Sequence, residues 1–282
     1  MVRFRTRERA APRSPEADRF FGVDLGLNGK VALVTAASKG LGKACALALA
    51  REGARVAICA RSPEHLEAAA ADIQAQTGAE VLTVAADLAS EPDIAAALAA
   101  TTGRLGSVDI LVSNSGGPRT GRFADVTDGD WLAAFDVVTL SFVRLVRAVL
   151  PGMRERAWGR IVAIQSSSVK QPVSGIDLSN GIRPGIAGLA KALAPDLAGD
   201  GITINLVLPG RFRTARLGVP EASADDESLA GQLAALASGV PAGRLGDPGE
   251  LGDLVAFLAS QRAAYITGAV YQIDGGLIAS NV

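Results

Sequence analysis

The sequence predicts an α/β fold, a doubly wound parallel sheet with helices on both faces, from three observations. Short β-type runs alternate with Ala/Leu-rich helical stretches from Val31 to Ile273, the spacing of successive strand–helix–strand units. The runs are apolar at consecutive positions, as in Val31-Ala-Leu-Val34, which suits strands covered on both faces. The first run ends in a small-residue loop, and Gly40-Leu-Gly42 then opens a helix. Unpaired N–H groups and the positive end of the helix dipole therefore point at the space above that strand.

Taken in order, residues 31–35 read as a strand and 40–52 as the Ala/Leu-rich helix that follows the small-residue loop. Strand 55–60, helix 63–76, strand 80–85 and helix 91–102 repeat the pattern. Strand 109–113 leads to a long helix from about 130 to 156, and strand 160–165 to an irregular segment and a helix ending near 198. Strand 203–208 follows, then a loop-rich stretch over 209–246, helix 248–259 and a last strand at 269–273. Right-handed crossovers between parallel strands produce the double winding.

Bulk properties exclude several function classes. The length suits one large domain or two small ones. A net charge of −1 provides no field for nucleic acid, and no apolar run is long enough to span a membrane. Cys45 and Cys59 read as small buried residues of the first unit; without a disulfide framework a cytoplasmic setting is the default. No metal site is expected. Residues 1–28 differ in character: arginines alternate with Ala, Pro and acidic residues, and no apolar core of a secretory signal is present. This arm is expected to be mobile or to pack on a neighbouring subunit, leaving 29–282 as one ligand-binding unit.

In a doubly wound sheet the ligand crevice lies at the carboxyl ends of the strands, so functional residues are sought there. After the first strand, Thr35, Ala37, Ser38, Lys39, Gly40, Leu41 and Gly42 offer a diphosphate cradle. Ala36 stands where the first glycine of the strict dinucleotide fingerprint would fall. After the second, Arg61 occupies the place where an acidic residue would take the adenosine ribose hydroxyls. A cation there, with Lys39 on the same side, favours the extra phosphate of NADP over NAD; plain surface charge is the alternative. Asp87 and Leu88 follow the third strand, and Asp87 can accept from an adenine amino group or cap the next turn. Asn114, Ser115 and Gly116 make a second glycine-rich corner. Pro209 and Gly210 follow the sixth strand, with Thr214 placed to bind an amide or phosphate, and Asp274-Gly-Gly276 reads as a turn.

Jointly, the loop Thr35–Gly42, Asp87, Asn114-Ser-Gly116, Ser166-Ser167, Pro209-Gly210 and Asp274-Gly-Gly276 resemble the short-chain dehydrogenase/reductase family, nearest its β-ketoacyl carrier-protein reductase-like members. The resemblance covers residues 27–277. It implies a Rossmann-type fold, NADP(H) as cofactor, a small-molecule carbonyl substrate, a substrate lid at about 211–246, and a homo-oligomer, dimer or tetramer. It also implies a catalytic Ser, a Tyr thirteen residues later, a Lys four beyond that, and an Asn on the preceding long helix. Ser166 keeps the serine; Ser179 stands at the tyrosine position, Arg183 at the lysine position and Val138 at the asparagine position. Tyr265 and Tyr271 lie near the last strand, and His65, the sole histidine, sits on a solvated face of the second helix.

These departures have chemical consequences. A phenol titrates near ~10 and a neighbouring cation lowers it further, whereas an aliphatic hydroxyl is a far weaker acid. Arg183 stays charged and suits a carboxylate, a phosphate or a polarised carbonyl. On a continuous helix Ser179 and Arg183 share a face, although Pro184 and Gly185 count against continuity and Pro195 is a further expected kink. Three functions follow: an NADP(H)-dependent carbonyl reductase with an altered proton path, a catalytically inactive NADP(H)-binding protein or partner subunit, and a non-redox lyase or isomerase holding an anionic substrate. The reductase ranks first. Lys170, Arg119 and Arg211 are further cations placed near the crevice.

Overall fold

The structure, a computed structural model, describes residues 23–219 and 227–280. The expected arm falls mostly at 1–22, and the acidic Asp225-Asp226 at 220–226, outside the described residues. The strands are β1 (Val31–Thr35), β2 (Arg55–Ala60), β3 (Val81–Ala85), β4 (Ile110–Ser113), β5 (Gly159–Ile164), β6 (Ile202–Pro209) and β7 (Val270–Ile273). All are parallel, in one sheet of order β3-β2-β1-β4-β5-β6-β7. Every strand end lies within one residue of its expected place.

The helices are α1 (Gly40–Arg51), α2 (Pro63–Thr77), α3 (Glu91–Leu105), α4 (Asp128–Ala134), α5 (Ser141–Glu155), α6 (Asp177–Ala198), α7 (Glu227–Ala237) and α8 (Pro248–Ala259). Side-chain alternation along the strands divides the core between two faces. Ala32 and Val34 of β1, Ile58 of β2 and Val112 of β4 join Leu49, Leu66 and Val255 from α1, α2 and α8. Leu33, Ala57 and Leu111, one residue out of phase, join Leu145, Met153 and Ile186 from α5 and α6 on the other face. Each fully buried Val, Leu, Ile or Met among them contributes about 1.5–3 kcal/mol. Ser62 and Ser90 cap α2 and α3 by accepting from His65 N and Asp93 N at 3.3 Å.

Three expectations are corrected. The single helix at 130–156 is instead α4 and α5 joined by a π-helical turn, Phe135–Leu140. The Ser141 hydroxyl donates to the Val137 carbonyl at 2.7 Å, and a side chain entering the ladder in this way distorts a helix. The stretch 209–246 is not all loop: the Ala/Leu-rich run before Ser238 forms α7. Finally, α6 runs unbroken through Pro184 and Pro195. Burial of Leu178, Ile186, Ala190 and Leu197 against the sheet outweighs the backbone bonds the prolines remove.

Two tryptophans mark opposite ends of the sheet. Trp131 of α4 rests on the bare backbone of Gly181 in α6, where an added Cβ would come within 2.7 Å of the ring. Trp158, just before β5, meets the Lys30 ammonium at 4.0 Å and the Arg160 guanidinium at 4.5 Å from its ring centroid, two cation–π contacts. No helix among the described residues is long and apolar enough to cross a membrane.

Candidate active site

Strand order reverses between β1 and β4, and there the crevice opens. Two ends are locked together: the Thr35 hydroxyl donates to the Asn114 carbonyl at 2.6 Å and accepts from Asn114 N at 2.9 Å. The Asn114 amide donates to Ala36 O at 3.2 Å. Ala36 holds a left-handed φ of 47°, the backbone of the glycine it replaces. Gly42 is required by close approach, since a Cβ there would lie 2.5 Å from Ala36 O and 2.9 Å from Ala37 Cα. The N-cap of α1, Lys39, supplies no side-chain cap, so a ligand can meet the helix N-terminus directly.

Around this loop, Ala37 is buried, Ser38, Gly40 and Leu41 are half-buried, and the cations Lys39 and Arg61 are exposed. Asp87 Oδ1 accepts from Ala89 N at 3.0 Å, the capping role; Leu88 is buried. Ser115 is half-buried and Gly116 exposed at the end of β4. Pro209 and Gly210 end β6 half-buried, and the buried Thr214 brings its methyl group against Gly40. Asp274 closes a turn by accepting from Gly276 N and Ile278 N.

The second half of the site stands at the end of β5 and the start of α6. Ser166 Oγ accepts from Ser168 N at 3.1 Å. The Ser168 and Ser179 hydroxyls are 3.0 Å apart and buried. One turn on, Arg183 is only 6% exposed; its Nη1 donates to Gln165 Oε1 at 3.0 Å while its Nε has no partner. Burial, and secondly the charge of Arg216, pull this guanidinium down to about 10. Arg216 donates to the carbonyl of Gly116. Gly117, at φ 75°, leaves the space it fills: a Cβ there would meet Arg216 Nη2 at 2.9 Å.

Val138 is buried within the π-helical turn. Tyr265 is fully exposed, Tyr271 lies in β7, and His65 is exposed. The other expected cations have these surroundings. Arg119 donates to Asp125 O and pairs with Asp130 at 3.2 Å, and Arg211 donates to Leu236 O at 2.6 Å; Lys170 is half-buried. Burial raises both cysteine thiols far out of their ordinary range, so neither is a nucleophile. Gln165 and Arg216 escaped the sequence reading. Gln165 left one signal, a polar side chain closing an apolar strand; Arg216 left none, because its neighbours come from a distant loop.

A parallel sheet of this order, with a glycine-bearing loop at its switch point, defines a doubly wound nucleotide-binding-type protein. A family model described as enoyl-(acyl carrier protein) reductase matches residues 35–278, and the chain belongs to the short-chain dehydrogenase/reductase family of oxidoreductases. It is 38% identical over 253 residues to the 3-oxoacyl-(acyl-carrier-protein) reductase FabG of Vibrio cholerae, covering 90% of this chain and 99% of that one. The FabG of Pseudomonas aeruginosa is also 38% identical, over 91% of this chain and all of its own. Among solved structures, the L-sorbose reductase of Gluconobacter frateurii, complexed with NADPH and L-sorbose, superposes with a TM-score of 0.85 at 32% identity, over 92% of this chain and 100% of that one. The actinorhodin polyketide ketoreductase with NADPH gives 0.80 at 35%, over 88% and 97%.

Proposed function

We propose that this chain is an NADP(H)-dependent carbonyl reductase in which serine hydroxyls and water replace the usual phenol as the path for the proton. The observation that carries the reading is the meeting, at one sheet end, of a dinucleotide cradle with a buried hydroxyl–guanidinium cluster. The cradle fits the cofactor: α1 begins without a side-chain cap, Gly42 permits close backbone approach, and Lys39 and Arg61 are exposed on the side of the extra phosphate. Relatives solved with NADPH lend the same direction.

When bound, NADPH supplies hydride to the carbonyl carbon and leaves as NADP+, so one proton must reach the oxygen. Ser166 accepts from the backbone at Ser168, and its own hydroxyl hydrogen is then directed to the substrate oxygen. The Ser168–Ser179 pair relays a proton from water to the substrate oxygen and leaves hydroxide to the solvent, since neither hydroxyl is acidic enough to act alone. Arg183, protonated at neutral pH even at about 10, stabilises developing negative charge in a dry site and holds its proton. In this proposal residues 29–282 act as one unit, 211–246 form its lid, and the protein works as a homo-oligomer.

Calorimetric titration with NADPH and NADH, followed by NADPH oxidation across a panel of ketones, aldehydes and keto acids, tests this. NADPH is expected to bind more tightly than NADH, and Ser166→Ala to lower kcat. Failure to bind either nucleotide at millimolar levels would sink the proposal. A second reading, nucleotide binding without turnover, is favoured by the lack of a phenol or imidazole in the crevice among the described residues; binding with no oxidation across the panel would select it.

A further inference from the structure

Arg183 presents an uncommon electrostatic situation. A buried cation is normally matched by a carboxylate, because an unpaired charge in a low-dielectric interior is strongly destabilising. Among the described residues the partner of Arg183 is the neutral amide oxygen of Gln165, and Nε is without a partner. The nearby charge that acts on Arg183 is of the same sign, Arg216. Arg216 is not a stray surface side chain. It reaches from the loop after β6 to the carbonyl of Gly116 at the end of β4 and occupies the notch left by the missing side chain of Gly117. Gln165, which orients Arg183, closes the adjacent strand β5. The groups that hold the two guanidiniums, Gln165 and the Gly116 carbonyl, follow adjacent strands, and the charge of Arg216 acts on Arg183. An anion bound by both would relieve the like charge.

We infer that Arg183 and Arg216 form a two-armed clamp for a carboxylate carried by the substrate, so that the substrate is a keto acid anion and not a neutral ketone. The planar, multi-donor guanidinium matches a carboxylate in two-pronged fashion. Spacing narrows the class. Ser179 and Arg183 stand one helical turn apart on one face of α6, about 5–6 Å between Cβ atoms. A molecule reaching both the hydroxyl cluster and the clamp carries its carbonyl and carboxylate close together, as a short keto acid does. Describing the ligand as substrate rests on the reductase reading; the anion site itself does not.

The test separates the two. Thermal unfolding of the cofactor-free protein is followed with increasing malonate, with orthophosphate, and with chloride at equal ionic strength. Malonate should raise the midpoint saturably and chloride should not. Arg216→Gln, at an exposed position, should fold normally and weaken the malonate effect about tenfold or more; Arg183→Lys should weaken it while keeping the charge. With NADPH present, a 3-keto acid should exceed its methyl ester in kcat/KM by about tenfold or more, and Arg216→Gln should erase that preference. A malonate response equal to that of chloride, or unchanged in Arg216→Gln, overturns the clamp. Stabilisation by phosphate without malonate overturns the carboxylate assignment. A malonate response that persists while NADPH neither binds nor is oxidised upholds the clamp and overturns the reductase reading alone.

Discussion

Arg183→Met removes a buried charge that no carboxylate among the described residues pairs, and the substitution is expected to make the protein more stable and functionless. The magnitude follows from the structure. Folding lowers the guanidinium from its ordinary range to about 10, and at ~1.4 kcal/mol per pH unit the charged form is disfavoured by about 3 kcal/mol. Methionine has a similar reach and relieves that term, while Gln165 Oε1 loses its donor, at a cost of about 1–2 kcal/mol. The balance is a gain of about 1–2 kcal/mol, or a midpoint rise of about 2–6 °C for a chain of this size. The sign with pH is fixed as well. At neutral pH Arg183 is protonated in both states, so the gain is the same at pH 6 and pH 8. Only above about 10, and below the ordinary guanidinium range, does the unfolded chain bind more protons, and there wild-type stability rises with pH. Calorimetric unfolding at low salt, without added anions, measures the difference; saturating malonate should narrow it by stabilising the wild type alone. A variant less stable than wild type by 1 kcal/mol or more would refute the argument, because Arg183 would then be a structural strut already compensated within the fold.

Ala36→Gly should raise stability by about 0.5–1 kcal/mol, since the left-handed φ of 47° costs an L-residue more than glycine loses in unfolded-chain entropy; thermal unfolding measures it, with NADPH affinity little changed. Gly42→Ala places a Cβ 2.5 Å from Ala36 O, and is expected to cost about 1–3 kcal/mol and to weaken NADPH binding more than tenfold by calorimetry. Arg61→Glu should raise the Kd for NADPH about ten- to a hundredfold, about 1.4–2.8 kcal/mol, and leave NADH unchanged or tighter. Equal losses for both nucleotides would show that Arg61 does not face the extra phosphate.

The sheet was legible because each strand is a consecutive apolar run whose burial leaves few alternatives. The glycine loop was legible in spite of Ala36, since the backbone adopts the same left-handed turn with an alanine in it. What could not be read depended on tertiary contact. The π-helical turn at Phe135–Leu140 depends on where the Ser141 hydroxyl finds a carbonyl. The continuity of α6 through Pro184 depends on what the sheet buries. Arg119 and Arg211 engage the Asp130 carboxylate and the Leu236 carbonyl, partners that sequence spacing alone does not single out. Arg216 reaches the site only because the loop after β6 folds back over Gly117.

The placement of the two indoles equips the protein with its own optical gauge. Trp131 leans on α6 at Gly181, two residues from both Ser179 and Arg183, so its emission should change whenever an occupant of the crevice shifts that helix. Trp158, held by Lys30 and Arg160 at the amino end of β5, supplies a steady background. With Trp158 replaced by phenylalanine, a single fluorophore would report occupancy at the clamp without any label.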